Sequence, residues 1–218
     1  MNVEGQDFRE EKWSRYLSEE RREAAKRLRP EPEQLCLGAE VLLNRSLHIA
    51  GAPMALPAAY VRNRYGKPYL TDLPGLYVNW SHSGACVICA LSDREVGIDL
   101  QDTRREPKEA LIHRVLRPEE QSFYDRAPEA DRHRLFYEYW TVKESYLKAL
   151  GTGFCTSLDT FIVRMEGICP TVVSEGRTAG YTCRLLETVQ RGYAAAVCIE
   201  GVHPELPVHP SVENLPAV

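Results

Sequence analysis

Asp99 ends the apolar run VGIDL, where a lone acid is costly unless something pairs with it or a metal binds it. Gln101 follows two residues later and leaves the same face of an extended chain. Downstream, WTVKESYLKAL sets Glu144 and Lys148 four apart on one helical face, with Trp140 one turn earlier. Such a pair is ordinarily a surface ion pair. NWSHSG places His82 and Ser81 at a strand end, and GKPYL places Lys67 and Pro68 in a turn. A lone histidine is more often structural or solvent-facing than catalytic. Together these segments hold carboxylates, lysines, a histidine and hydroxyls, a set suited to magnesium-assisted phosphate chemistry. Magnesium takes one or two carboxylates with phosphate oxygens and water, and lysine offsets developing negative charge. The residues alone do not name the reaction.

The elements that must position them follow from periodicity. Phe8 to Leu28 reads as one or two short helices, with Ser18 as N-cap of the second and a break at Pro30 and Pro32. Leu35, Ala39, Leu42, Leu43 and Leu47 make an apolar stripe that predicts a helix from about Glu33 to Ile49. Strands are expected at Tyr77 to Trp80, Cys86 to Leu91 and Val96 to Leu100. Leu111 to Leu116 reads as a helix, Pro118 as the first residue of the next, and Asp131 to Leu150 as a long helix stopped by Gly151. Phe161 to Met165, Tyr181 to Leu186 and Tyr193 to Ile199 are further strands. The order predicts an α+β protein of two similar halves, 1–98 and 99–200, with an irregular, proline-bearing tail at 201–218.

Composition narrows the classes. With 44% hydrophobic and 27% charged residues, the chain is that of an ordinary soluble globular protein. No apolar run approaches the roughly 18 residues of a membrane span, and the N-terminus lacks a secretion segment, so a cytoplasmic protein without a membrane partner is expected. A net charge of -4 argues against general nucleic-acid binding. An anionic ligand must then meet a local basic cluster, such as Arg21, Arg22, Lys26, Arg27 and Arg29, or Arg104, Arg105, Lys108, Arg114 and Arg117. Seven cysteines exclude complete disulfide pairing within one chain. Cys86 and Cys89 lie on a predicted strand with their side chains on opposite faces, which disfavours a metal or redox pair.

RYGKPYL at 64–70, NWSHSG at 79–84, VGIDLQ at 96–101 and FYEYWTVKESYLKALGTGF at 136–154 occur in the order of the Sfp-type 4'-phosphopantetheinyl transferase family, which the chain resembles over roughly 18–199. The resemblance implies a pseudo-twofold monomer of two α/β halves with coenzyme A in the cleft between them. It implies a holo-[acyl-carrier-protein] synthase type of activity. Phosphopantetheine would pass from coenzyme A to a serine of an acyl or peptidyl carrier protein, releasing 3',5'-ADP, in nonribosomal peptide, polyketide or fatty-acid synthesis. By motif, Asp99 and Glu144 would bind Mg2+, and Glu144 would also be the base. Lys148 would touch the pyrophosphate and assist the leaving group. His82 and Ser81 would contact phosphates, Lys67 and Pro68 would line the adenosine site, and Lys143 would be a further phosphate contact or support.

Two departures stand out. Gln101 occupies a position where the family often has a glutamate, giving a weaker, uncharged metal ligand. Gln34-Leu35-Cys36 precedes Gly38 where many members carry a basic residue, so phosphate contacts there pass to Arg21 or a neighbouring base. The alternatives are another coenzyme A-dependent transferase, which would not need magnesium, and a non-catalytic carrier-binding module, against which the joint presence of Asp99, Glu144 and Lys148 speaks. A trimeric holo-carrier-protein synthase would match only half of this length.

Overall fold

Ser18 caps as expected: its side chain accepts a hydrogen bond from the Arg21 backbone N–H at 3.2 Å and opens α1 (Glu19–Ala25), behind a 3-10 helix at Glu11–Tyr16. This computed structural model describes residues 1–165, 167–188 and 190–201, so almost all of the expected tail, from 202 on, lies outside the described residues. The next helix, α2 (Pro30–Ile49), starts earlier than predicted. Pro30 and Pro32 sit in its first turn, where a missing N–H costs nothing, so the prolines begin the helix instead of excluding it. Leu37, Val41, Leu43 and Leu47 bury its apolar face. Two polar residues on the same helix are buried as tethers. Glu40 accepts from the Ser18 N–H and hydroxyl, both at 2.9 Å. Asn44 donates to the Tyr16 carbonyl at 2.9 Å and accepts from the Ala58 N–H at 2.7 Å.

A short hairpin, β1 (Tyr60–Arg62) and β2 (Pro68–Leu70), brackets the Lys67 turn, and a longer one joins β3 (Tyr77–Ser83) to β4 (Cys86–Ser92). Cys86 packs with Leu100 and Ala195, and Cys89 packs against the α2 side with Leu43 and Val78, so the two thiols do face opposite ways. The second half is built on β5 (Val96–Asp102), α3 (Glu109–Val115), α4 (Pro118–Arg126), α5 (Glu129–Leu150), β6 (Phe161–Arg164), β7 (Thr171–Ser174), β8 (Arg177–Thr178), β9 (Tyr181–Leu186) and β10 (Tyr193–Glu200). One antiparallel sheet has the order β5-β10-β9, and another β6-β7-β8. Each half thus sets one long helix, α2 or α5, on antiparallel strands. The expected division between 98 and 99 cuts through β5: its pairing with β10 already begins at Val96, so by hydrogen bonding the whole strand belongs to the second half.

Two features bring the halves together at the site. Gly97 lets α5 approach β5: a Cβ there would lie 2.1 Å from the Ser145 carbonyl oxygen and 2.3 Å from the Ala149 nitrogen. Successive same-face side chains of β3 then reach across to β5. Asn79 accepts from the Ile98 N–H at 3.0 Å, Ser81 donates to Asp99, and Ser83 accepts from the Asp102 N–H at 2.8 Å.

Candidate functional site

Asp99 is 2% exposed, in the middle of β5 under α5. Its Oδ1 accepts from Ser81 Oγ at 2.9 Å and from Lys148 Nζ at 2.5 Å, and its Oδ2 accepts from Gln101 Nε2 at 2.9 Å. Lys148 Nζ also donates to Ser81 Oγ at 2.9 Å and to the Ile98 carbonyl at 3.2 Å. The buried acid is therefore paired, as its surroundings require. Glu144 lies one helical turn before Lys148, and its carboxylate has no hydrogen-bond or ion-pair partner among the described residues. Burial and the neighbouring Asp99 charge push the Glu144 pKa above the usual range, with Lys148 opposing them.

Glu144 and Lys148 line a cavity of about 250 Å³ together with Arg62, Lys67, Pro68 and Trp80. The Lys67 turn and Trp80 come from the first half, and the acid and its lysine come from α5. Lys67 is part of that wall. Its ammonium pairs with Glu95 and donates to the Ala149 carbonyl at 2.7 Å, closing the C-terminal end of α5. Asn63 holds the same turn, accepting from the Lys67 N–H at 3.0 Å and donating to the Gly151 carbonyl at 2.8 Å. Gly151 ends α5 with a φ of 66°, the left-handed conformation its place in the sequence predicted.

The remaining expected site residues divide. His82 follows Ser81 on β3 and keeps an exposed surface. Enough protein surrounds the ring to push its pKa down, and the Lys148 and Arg21 charges add to this against Asp99. Arg21 donates to Tyr60 Oη at 2.6 Å and lies with its guanidinium 5.9 Å from the Trp80 ring centre. Lys143 contradicts the expectation of a phosphate contact. It is fully buried on another face of α5, 2.7 Å from Glu120, and donates to the Leu158 carbonyl at 3.3 Å. One residue along a helix turns the side chain by about 100°, so Lys143 cannot share the Glu144 and Lys148 face. Sequence reasoning also missed Arg62, whose guanidinium packs over the rings of Tyr60 and Trp80. The only signal for it was a basic residue just before the glycine-proline turn.

Asp99 and Glu144 are the groups that could hold a hard divalent cation: two carboxylates, one of them unpartnered, beside an open cavity. No group of three or more His, Cys, Asp or Glu gathers among the described residues. Gln101 turns its amide nitrogen toward Asp99, so it would have to flip the amide to offer an oxygen.

A profile of the 4'-phosphopantetheinyl transferase superfamily matches residues 95–198. The chain is 30% identical over 200 residues to 4'-phosphopantetheinyl transferase Sfp of Bacillus subtilis (strain 168), across 90% of this chain and 87% of that one. It is 40% identical over 93 residues to 4'-phosphopantetheinyl transferase HetI of Nostoc sp., across 40% of this chain and 39% of that one. Among solved structures, a holo-(acyl-carrier-protein) synthase from Bacillus anthracis aligns with a TM-score of 0.41 at 22% identity, over 50% of this chain and 96% of that one. With a likeness that runs through both halves and all four motifs, the chain belongs to the Sfp-type 4'-phosphopantetheinyl transferase family.

Proposed function

We infer that the protein transfers 4'-phosphopantetheine from coenzyme A to a serine of a carrier-protein domain and releases 3',5'-ADP. The observation that carries this reading is the unpartnered Glu144 carboxylate, set beside the Asp99, Ser81 and Lys148 cluster at the wall of a cavity shared by both halves. The serine oxygen attacks the phosphorus that bears pantetheine, and the bond from that phosphorus to the bridging oxygen breaks. Glu144 takes the serine proton, directly or through one water; its raised pKa makes it a better base than an ordinary glutamate. Lys148 places positive charge where the departing 3',5'-ADP gains negative charge. Ser81 and Asp99 hold that ammonium in position. His82, with its pKa pushed down, acts near neutral pH as an uncharged hydrogen-bonding group toward phosphate.

Asp99 and Glu144 would hold magnesium, which when bound would neutralise pyrophosphate charge. Both walls of the cavity come from one chain, which supports a monomer as the working unit. No helix among the described residues is long and apolar enough to cross a membrane. The proposed setting is cytoplasmic, with the carriers of nonribosomal peptide or polyketide synthesis as partners. Incubation of an apo carrier protein with coenzyme A, magnesium and the enzyme, followed by intact-mass measurement, tests the reaction. A gain of one phosphopantetheine is expected, and an unchanged carrier mass would rule the reaction out.

A further inference from the structure

No step of the proposed reaction uses any of the seven cysteines. Five of them stand apart from one another. Cys36 accepts from Arg21 Nη1 at 3.3 Å, and Cys86 donates to Gln190 Oε1 at 2.9 Å. Burial pushes the Cys89 thiol up to about 12, and Cys155 and Cys169 are exposed. Cys183 and Cys198 differ from all of these, because their sulfurs meet. The Cys183 S–H donates to Cys198 Sγ at 2.9 Å.

The register of the sheet sets this meeting. Cys183 on β9 and Cys198 on β10 are direct partners in an antiparallel pair. Facing residues of such a pair have Cα atoms about 4.5–5.5 Å apart, inside the roughly 4.4–6.8 Å that a disulfide bridges. Both side chains are buried, 1% and 0% exposed, in the core under α5 with Tyr146 and Ala149. On its other side Cys198 faces Gly97, two residues before Asp99, so the pair lies in the sheet that carries this acid. The two strands are not equivalent. The order β5-β10-β9 puts Cys198 on the central strand and Cys183 on the edge strand. Burial, with Cys183 beside it, pushes the Cys198 thiol well up, which keeps it protonated and unreactive while the sheet is closed. Local opening begins with the strand held by fewer partners, so Cys183 is the first of the two to meet solvent.

We propose that Cys183 and Cys198 are a modification site for hydroperoxides, in which Cys183 on the edge strand reacts first and Cys198 resolves it to a disulfide that staples β9 to β10. The Cys183 thiolate attacks the outer oxygen of the hydroperoxide, the O–O bond breaks, and the alcohol (water, for hydrogen peroxide) leaves with the thiol proton. Cys183 is then a sulfenic acid. When β9 closes again, Cys198 sulfur attacks Cys183 sulfur, the S–O bond breaks, and hydroxide leaves as water with the second thiol proton. Two thiols and one hydroperoxide thus give one disulfide, one alcohol and one water, with two electrons passing from the sulfurs to the peroxide. In the reducing setting proposed above the resting state is the dithiol, and a small thiol restores it by exchange. The site does not depend on the transfer reaction, and its failure would leave that reading untouched.

Treatment of the full chain with hydrogen peroxide, alkylation of the remaining thiols in denaturant and tryptic mass mapping test the assignment. Arg184 and Arg191 lie between the two cysteines, so trypsin parts them and only a disulfide rejoins the two peptides. The linked pair is expected, and dithiothreitol should release it. The partners are 15 residues apart, and a bond closing a loop of that length should raise the melting temperature of the oxidised wild type by about 6–12 °C over the reduced one. Dimedone, which traps sulfenic acids, reads the order of attack. Cys198→Ala should carry the label on Cys183, and Cys183→Ala should carry none on Cys198. The wild-type comparison needs no variant to fold. Absence of the linked peptides, linkage of either cysteine to Cys155 or Cys169 instead, or a linked protein that melts no higher than the reduced one would each overturn the proposal. A dimedone label on Cys198 in Cys183→Ala would overturn the order of attack.

Discussion

Helix α5 carries two lysine–carboxylate pairs, five residues apart, that do opposite things. Lys143 pairs with Glu120 at 2.7 Å, their side chains 0% and 1% exposed. Lys148 pairs with Asp99 at 2.5 Å, their side chains 28% and 3% exposed. The first pair is closed. Glu120 also accepts from the backbone N–H groups of Arg117, at 2.7 Å, and Val163, at 2.6 Å, so it pins the start of α4 and strand β6 to α5. The second pair opens on the cavity, with Glu144 unpartnered beside it. A buried ion pair whose hydrogen bonds are all made is part of the fold. A pair with a spare charge next to it, at a cavity wall, marks a candidate site.

The sharpest break in that comparison comes from Glu144→Gln. Turnover should fall by about 10²–10⁴-fold, the usual scale for a general base, while coenzyme A affinity changes little. Near-normal turnover would remove Glu144 from the reaction. The same variant has a stability readout. Because the folded-state pKa of Glu144 is raised, the folded protein holds a proton that the unfolded chain releases between the ordinary and the raised value. Stability therefore falls as pH rises through that window, and above it the ionised carboxylate remains a cost. Metal-free Glu144→Gln should melt at a higher temperature than wild type at neutral pH, and the difference should vanish below the ordinary glutamate pKa. A variant that melts lower at neutral pH would mean that Glu144 has a stabilising partner.

Lys143→Met should do the reverse. Leaving the Glu120 carboxylate buried and unpaired costs about 3–5 kcal/mol of stability. Adding Glu120→Gln should recover part of it, since the amide oxygen still accepts from the backbone while the charge is gone. Lys148→Met, at the open pair, should cost less stability and far more activity. If chemical denaturation gave equal losses for Lys143→Met and Lys148→Met, the distinction between the two pairs would fail.

The sequence made Asp99, Glu144 and Lys148 legible because each sits in a strongly periodic element: an apolar strand and a long amphipathic helix. Lys143 was misread because its sequence neighbour is Glu144, and adjacency in a motif says nothing about which helix face a residue takes. The hairpin β1 and β2 escaped because its strands have three residues each and Pro68 opens the second, a place where proline usually argues against a strand. The hairpin β7 and β8 did carry a signal. Glu175 and Gly176 both have positive φ, 51° and 72°, as in the tight two-residue turns that glycine favours. The boundary misplaced inside β5 has a different cause: strand partners distant in sequence leave no local trace, and β10 lies near the far end of the chain. Arg62 shows the same limit, since its neighbour Trp80 belongs to another hairpin.

Carrier docking should produce a smaller effect, on one ligand only. The basic stretch near Arg114 and the exposed Phe123 offer a surface for an acidic partner, whereas Tyr124 beside it is buried. Arg114 is exposed, whereas Arg117 has a buried Nε and a backbone bonded to Glu120, so only Arg114 can be reversed without disturbing α4. Arg114→Glu should raise the carrier KM several-fold and leave the coenzyme A KM unchanged, as loss of electrostatic steering does. Equal changes toward both ligands would remove this surface from docking.

Gln101→Glu should give the smallest effect, confined to the metal requirement. In the present geometry Gln101 donates to Asp99 Oδ2, so it steadies that carboxylate and offers no oxygen beside it. A glutamate there would replace this donor by a third negative charge next to Asp99 and Glu144. Two consequences follow. The half-maximal magnesium concentration should fall, because a carboxylate suits a hard cation better than an amide. Without metal, the added charge should push the Glu144 pKa further up, moving the acidic limb of the rate profile to higher pH at low magnesium. Raising magnesium should bring the two profiles together, since the cation offsets the added charge. Superimposable magnesium titrations of wild type and Gln101→Glu would place position 101 outside the metal's surroundings and leave it only the role of holding Asp99.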